Sequence, residues 1–562
     1  MSDFIESDRS TTFPSIRVDA SAAAIVIGFG AAVALRIATI FRYRIDSDET
    51  QHLHVAWGWA NGLLQYRDLF DNHMPLFHIL CAPLLRIAGE RPETLLLARL
   101  TMLPLFAAIV LLTYRIAISC HPQRAALWAT LIGSLAPDFF LCSVEFRTDV
   151  LWTACWLASI AILVCSPLTS ARAAAAGLSL GIAAAVSAKT VLLAASLGLA
   201  AVITLVVSRD RPVRIHEIAK RAMSFSAALL LPPSLVGVYF AFREAWKPFL
   251  YGTVTHNLVA SEHPHRLFLL PALLLIIILG TQRIMRDDIP SDVRRRRVFL
   301  FLTAAIYGAA MVSLWPIIQT EHWLPFYPVA AVATVPLLLP KESGPQPRLA
   351  MAILALELLW IVRLSTPWRN DVVPSMALIE QTMKLTTRSE SVIDLKGEMV
   401  FRRRAYYYVL EKITKKKIAN KELPDTIAAD IIRTRTMVAV PDDSSFPRSG
   451  RAFLLRNFVR VGCLRVAGMI VPRSRTFPIE IPGDYAVVSD HGDFRGTLDG
   501  TAYVGGRFLG QGTHTLVSSA PSNRNAVIWQ RAAELRFSPF IKDGRCADDG
   551  VSGAGTWPAR YQ

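Results

Sequence analysis

Residues 20–54 read "ASAAAIVIGFGAAVALRIATIFRYRIDSDETQHLH". The run from Ala20 to Ile40 is apolar almost throughout. At about 1.5 Å of rise per residue it is long enough to cross about 30 Å of hydrocarbon. Directly behind it, residues 46–54, "DSDETQHLH", hold three carboxylates and two histidines. Ionisable groups are costly at membrane depth, and where they occur they mark pathways or sites. The first span therefore opens onto a charged mouth.

The rest of the chain extends this pattern. Its 562 residues are 52% hydrophobic, and the mean hydropathy is +0.37. Apolar runs of membrane length recur at about 20–40, 95–118, 124–143, 149–166, 172–187, 190–208, 222–242, 267–282, 298–317, 323–340 and 349–366. These predict a polytopic α-helical membrane protein with about 11 transmembrane helices. The segment 74–89, "MPLFHILCAPLLRIAG", is too short to span comfortably and carries Arg86, so it reads as interfacial or re-entrant. The N-terminal 1–19 is polar and lacks the basic region and small-residue cleavage site of a signal peptide. It is expected to be a cytoplasmic tail.

The net charge of +16 does not point to nucleic acid. Its densest stretches, 209–221 "RDRPVRIHEIAKR" and 283–297 "RIMRDDIPSDVRRRR", are short loops between spans. Basic short loops stay on the cytoplasmic side and attract anionic lipid. An eleven-span threading puts both loops inside, with 119–124 and 341–348. The long first loop 41–94 is then outside, together with 145–149, 187–190, 251–265 and 319–323, and so is everything after residue 366. Asp48, Glu49, Asp149, Lys189, Glu321 and most of the loop histidines gather at that one face. Acids at span ends, beside a first outer loop of about 50 residues, suit a catalytic pocket at the lipid–water boundary better than a mid-span proton path.

The order of features resembles the GT-C superfamily of membrane glycosyltransferases, in its protein mannosyltransferase and aminoarabinose-transferase branch. An acidic pair, Asp48–Glu49, follows span one. Then come "GLLQYRDLFDNHMPLFHIL" (62–80), "ARLTMLPLFAAIVLLTYRIA" (98–117), "SVEFRTDVLWTACWLA" (143–158) and "HWLPFYPVAAVA" (322–333). The resemblance covers about residues 20–366. It implies transfer of a sugar from a polyprenyl-phosphate donor to an envelope lipid, polysaccharide or protein, at the outer face of a bacterial inner membrane and with inversion. It also implies catalytic roles for Asp48 as general base, Glu49 as its support and Asp149 as the second acid. Tyr66, Arg67, His73, Arg147, Lys189, Glu321 and His322 are then expected at the donor phosphate or substrate. Lys189 also reads as a snorkelling interfacial lysine, and Arg147 as a partner of Glu145 or Asp149. Where the family often has Lys-Pro-Pro, this chain has His73–Met74–Pro75. A divalent cation on Asp48, His73 and His256 is the candidate cofactor, with His263 and His322 as further imidazoles in reach of the same outer face. The second function that fits the spans is a transporter or flippase of lipid-linked glycans.

Beyond residue 366 a soluble extracytoplasmic part is expected: an α/β region over 367–475, a β-sandwich-like region over 476–545 and a disordered tail over 546–562. "SVIDL" (391–395) and "TMVAVP" (436–441) read as strands, and 400–420 as a basic amphipathic helix. Cys463 and Cys546 lie in this part, and a bridge between them is open to an exported domain.

Overall fold

The computed structural model describes residues 20–208, 215–260, 264–339, 347–442, 444–472, 475–520 and 524–546. The tail 1–19, all but the first residue of the tail 546–562, the core of the 209–221 loop and His263 lie outside these residues.

The architecture is polytopic and α-helical, followed by a β-rich part. Each of the eleven predicted spans contains an apolar helix or helix pair. Among the described residues, six are long and apolar enough to cross a bilayer by length and composition: Ala20–Arg42, Thr94–Ile118, Thr190–Val207, Ile215–Phe242, His265–Met285 and Ser291–Leu314. Thr148–Val164, Ser170–Val186 and Phe326–Leu338 are shorter. The 124–143 run is two helices, Gln123–Leu135 and Pro137–Cys142, because Pro137 cannot continue the first. Loops that the threading puts on one side do meet. Arg296 and Arg297 donate to the carbonyls of Ser119 and Cys120 at 3.0 Å each, joining two of the basic loops.

The stretch 41–94 is not a loop. It folds into Ser47–Ala60 and Leu76–Ala88, packed on one another. Asp46 is the N-cap of the first: its side chain accepts from Asp48 N, while Glu49 reaches back to Asp46 N at 3.0 Å. This capping box places the helix start at the mouth of span one. Leu76–Ala88 has 13 residues, about 20 Å, and falls short of a bilayer crossing.

The segment 400–420 is also not a continuous helix: only Lys412–Ala419 is, capped by Glu411. Ahead of it, Arg403–Arg404 pairs in parallel with Ser391–Val392. Arg404 donates to the carbonyls of Asp394, Leu395 and Tyr408, and Tyr406 is buried. Side chains anchored in several directions override the helical stripe. The expected boundary at 475/476 falls inside a single structure. Strand Leu464–Pro472 pairs with Arg524–Trp529, which pairs with Gly483–Ser489 and, through it, Arg507–Leu509. Val438–Ala439 and Phe458–Val461 complete this six-stranded sheet. A four-stranded sheet runs Arg475–Ile479, Gly512–Ser518, Gly496–Leu498, Thr501–Ala502. Phe477, Leu498 and Leu516 of this sheet and Val466, Val487 and Val527 of the other share one apolar core.

Cys463 and Cys546 are disulfide-bonded across 83 positions. Closing a loop of that size restricts the unfolded chain. Cys463→Ser is expected to lower the stability of the β-rich part by about 2–4 kcal/mol. Denaturant unfolding of the full-length protein, with and without reductant, checks this: reductant should lower the midpoint of wild type and leave the variant unchanged.

The two halves are not strung apart. Val400 and Phe401 are buried in the same apolar core as Trp57, Phe77 and Phe146. This packing carries the segment just before them onto the mouth of span one.

Candidate active site

The mouth is held by an ion pair. Glu49 is buried and takes Arg99 Nε at 2.8 Å on Oε2 and Nη2 at 2.6 Å on Oε1. Its Oε2 also accepts from Phe146 N at 3.0 Å. Arg99 extends the network to the carbonyls of Ile40 (3.2 Å) and Tyr43 (2.7 Å), at the end of the first span. Both carboxylate oxygens of Glu49 are consumed in fixing the 40–49 turn to the 146 turn. Glu49 is therefore a structural carboxylate, in place of the catalytic support the acidic pair suggested.

Asp48 points the other way. It meets the predicted acid from another outer turn, Asp149, at one buried cation. Arg147 Nη2 lies 2.9 Å from Asp48 Oδ2 and Nε lies 3.5 Å from Asp149 Oδ2. Glu145 (3.1 Å), Glu321 (3.1 Å) and, more loosely, Asp46 (3.7 Å) also surround it. Beyond Asp149 stands Lys189 Nζ at 2.9 Å from Oδ1, and beyond Asp48 stands Lys396 Nζ at 2.6 Å from Oδ1. Charges thus alternate along a chain: Lys189, Asp149, Arg147, Asp48, Lys396. Arg147 and Asp149 side chains are 7% and 3% exposed, whereas Lys189 and Lys396 are 20% and 21% exposed. Arg147 and Asp149 are closed off, whereas Asp48, at 19%, is as accessible as the two lysines.

The electrostatics follow. Burial opposes ionisation of Asp48, but Lys396 and Arg147 hold its carboxyl well below the usual range. Burial, with Asp46 and Glu49 nearby, pushes Glu145 up to about 8 against the pull of Arg147. Burial likewise raises Glu321. Of the two readings of Arg147, the carboxylate partner is the one its geometry matches, since its terminal nitrogens are engaged by Asp48, Glu145 and Glu321.

A second cluster flanks the first. His73 Nδ1 lies 3.0 Å from Asp71 Oδ1. Against burial, Asp71 raises its imidazole above the usual range. Asp71 is buried and also receives Gln51 (2.8 Å) and Gln65 (2.7 Å). His52, on the Ser47–Ala60 helix one turn beyond Asp48, pairs with His78 at 2.9 Å, and its ring centroid is 4.6 Å from that of His73. His54 leaves the cluster for Val400 O, as two helical positions two apart must diverge. Tyr66 takes a left-handed backbone (φ 70°) and donates to His73 O at 2.5 Å, so it shapes the loop. Arg67 is exposed and pairs with its neighbour Asp68; among the described residues it stands outside the cluster. Glu321 joins Arg147. His322 is buried beside it, and burial holds its imidazole well below the usual range.

The residues expected to hold a cation do not form one ligand set. Both oxygens of Asp48 face cations, His73 Nδ1 faces Asp71, and His256 Nε2 faces Glu411 at 2.9 Å in the C-terminal half. Among the described residues, the group with metal-ligand spacing is Cys463, Asp543 and Cys546, whose thiols are bridged. No step is assigned to a metal.

Lys396 carries no local signal in sequence. It stands 348 positions from Asp48, in a segment that reads only as a strand end. Its neighbour Gly397 adopts φ +121°, and a Cβ there would lie 2.8 Å from His54 Cβ. Only glycine lets this loop close on the helix. Gly397→Ala is expected to cost about 1–3 kcal/mol through backbone strain and to shift Lys396 off Asp48. Thermal unfolding read together with turnover checks it: unchanged values for both would contradict the tight fit.

No family model matches the sequence, and no curated protein matches it. Solved structures do. ArnT from Cupriavidus metallidurans in the apo state aligns with a TM-score of 0.53 and 13% identity, over 80% of this chain and 98% of that one. The same protein bound to undecaprenyl phosphate aligns at 0.51 and 12%, over 75% and 93%. The Archaeoglobus fulgidus oligosaccharyltransferase aligns more loosely, at 0.43 and 10%, over 78% and 73%. At such identities the likeness to ArnT is one of fold, and it runs through the spans into the C-terminal part. The chain shares the fold of ArnT.

Proposed function

We propose that the protein is a glycosyltransferase. It moves a sugar from a polyprenyl-phosphate donor to a hydroxyl-bearing envelope lipid, polysaccharide or protein. It does so at the outer face of a bacterial inner membrane, with eleven crossings and the β-rich part outside. The observation that carries the reading is the union of Asp48 and Asp149 on buried Arg147, with a lysine at each open end. Its support is that these groups come from four separate turns at one end of a helical bundle that shares the fold of ArnT.

The chemistry is a single displacement. The bond from the anomeric carbon to the phosphate oxygen breaks, and its electron pair leaves with the phosphate. The acceptor oxygen bonds to the opposite face of the sugar, which inverts the carbon. Its proton passes to Asp48. A carboxylate held far down is a weak base, and here a weak base suffices. In an oxocarbenium-like transition state the attacking hydroxyl turns acidic only as its bond to carbon forms. Asp149 holds Lys189 and Arg147 in register, and Lys189 offers a point charge to phosphate.

The test is release of polyprenyl phosphate from lipid-linked sugars by membranes containing the protein, with the sugar appearing in envelope material. Altered sidedness of the lipid-linked sugar without transfer would replace this reading by that of a flippase.

A further inference from the structure

Residues 394–400 form a braced loop that faces the catalytic mouth from the C-terminal half. Glu398 Oε2 accepts the backbone N–H groups of Leu395 (3.0 Å), Lys396 (2.9 Å) and Gly397 (3.2 Å). Asp394 accepts Met399 N at 3.1 Å on one oxygen and Arg404 Nε at 2.8 Å on the other. His54 Nδ1 meets Val400 O at 2.6 Å, and Gly397 seats the loop against the same histidine. Every residue from 394 to 400 thus uses its backbone or side chain to fix the loop. Lys396 alone reaches the alternating charge chain.

A lysine side chain carries about 2 kcal/mol of rotamer entropy, which is lost when its ammonium is held in one geometry. A preorganised loop that holds the ammonium in one place is the arrangement of a site meant to receive a ligand. The Lys396 side chain is about a fifth exposed, as is that of Lys189 at the chain's other end, so a ligand can reach both.

We propose that Lys396 is a catalytic-site residue supplied by the C-terminal domain: its ammonium binds the leaving phosphate of the lipid-linked donor, opposite Lys189, and in doing so frees Asp48 Oδ1 for the acceptor hydroxyl. This rests on the glycosyl-transfer reading above. As the anomeric carbon–oxygen bond breaks, the electron pair settles on the phosphate oxygen that Lys396 hydrogen-bonds. The acceptor proton goes to Asp48, and Lys396 keeps its own protons throughout. The β-rich part is then a component of the catalytic unit and not only a surface for acceptors.

The experiment uses full-length protein in lipid nanodiscs, titrated with undecaprenyl phosphate. Lys396→Gln is expected to weaken binding by about tenfold to a hundredfold, the size of one lost charge-assisted hydrogen bond. Lys396→Arg should recover most of it, and Lys384→Gln on the exposed outer surface should not change it. An excess of inorganic phosphate that competes as well as the lipid would show a free-anion site and overturn the assignment to the donor. A Gln variant that binds as wild type does overturns the role of Lys396 while the transferase reading stands. A wild type that binds no undecaprenyl phosphate removes both. Should the Gln variant fail to fold, footprinting of wild-type lysines decides: undecaprenyl phosphate must change the labelling of Lys396 and leave Lys384 alone, and no change at Lys396 overturns the proposal.

Discussion

Asp48→Asn is expected to lower sugar transfer by about two to four orders of magnitude, the range for loss of a positioned proton acceptor. Asparagine keeps the shape of the side chain and can still accept from Arg147. It cannot take the acceptor's proton, and it leaves Arg147 and Lys396 without the anion that both now share. The fold at the mouth should survive, since it is Glu49 and not Asp48 that ties the first span to the 146 turn. Matched expression and melting temperature, with transfer reduced, is the predicted pattern. Transfer within a few-fold of wild type would take Asp48 out of the mechanism. The pH dependence has a defined sign. The working form of Asp48 is the ionised one, and Lys396 and Arg147 hold its carboxyl well below the usual range against burial. Its contribution is therefore fully present at neutral pH and is lost only as pH falls below the range of an ordinary aspartate. An acid limb above the ordinary aspartate range would have to come from another group, such as His73, whose imidazole Asp71 raises above its usual range.

The largest effect on stability belongs to Arg99. Arg99→Met leaves Glu49 buried with no cation, and removing one partner of a buried pair costs about 3–5 kcal/mol. Against the 5–15 kcal/mol typical of a folded chain, that loss is severe. The variant should accumulate poorly in the membrane and unfold at lower temperature. The double variant Arg99→Met with Glu49→Leu should regain part of the loss, because no buried charge then stands alone. It should not regain all of it, since Glu49 also completes the cap of the Ser47–Ala60 helix through Asp46 N. A thermal-shift comparison of the single and double variants checks both statements. A double variant worse than Arg99→Met would contradict them.

What could be read in the sequence was what depends on local pattern. Apolar length located the helices, and two of the basic loops expected on one side meet through Arg296 and Arg297. Asp48, Arg147, Asp149, Lys189 and Glu321 were all visible as charges at span ends, and the fold brings them together. Two local signals were legible and misjudged. "DSDE" (46–49) is a capping box, with an N-cap acid and a glutamate three positions on, so the mouth begins as helix and Glu49 turns inward. The "RRR" of 402–404 reads as a helical basic face, yet Arg402 and Arg404 are buried or half-buried and bond backbone carbonyls. The rest depends on contacts between distant segments. Arg99 lies inside an apolar run and shows no partner until the fold puts it on Glu49. Lys396 lies 348 positions from Asp48, and its presence at the site depends on Gly397 fitting His54.

The central claim is that this charge chain acts on a lipid-linked sugar. The most direct measurement supplies the purified full-length protein, in nanodiscs, with polyprenyl-phosphate-linked sugars extracted from envelope membranes and with an envelope acceptor fraction, and follows free polyprenyl phosphate over time. The account predicts release by wild type that requires the acceptor fraction, with sugar recovered on the acceptor, inverted at the anomeric carbon, and almost none with Asp48→Asn. Intact lipid-linked sugar after prolonged incubation, or equal release by wild type and Asp48→Asn, would contradict it.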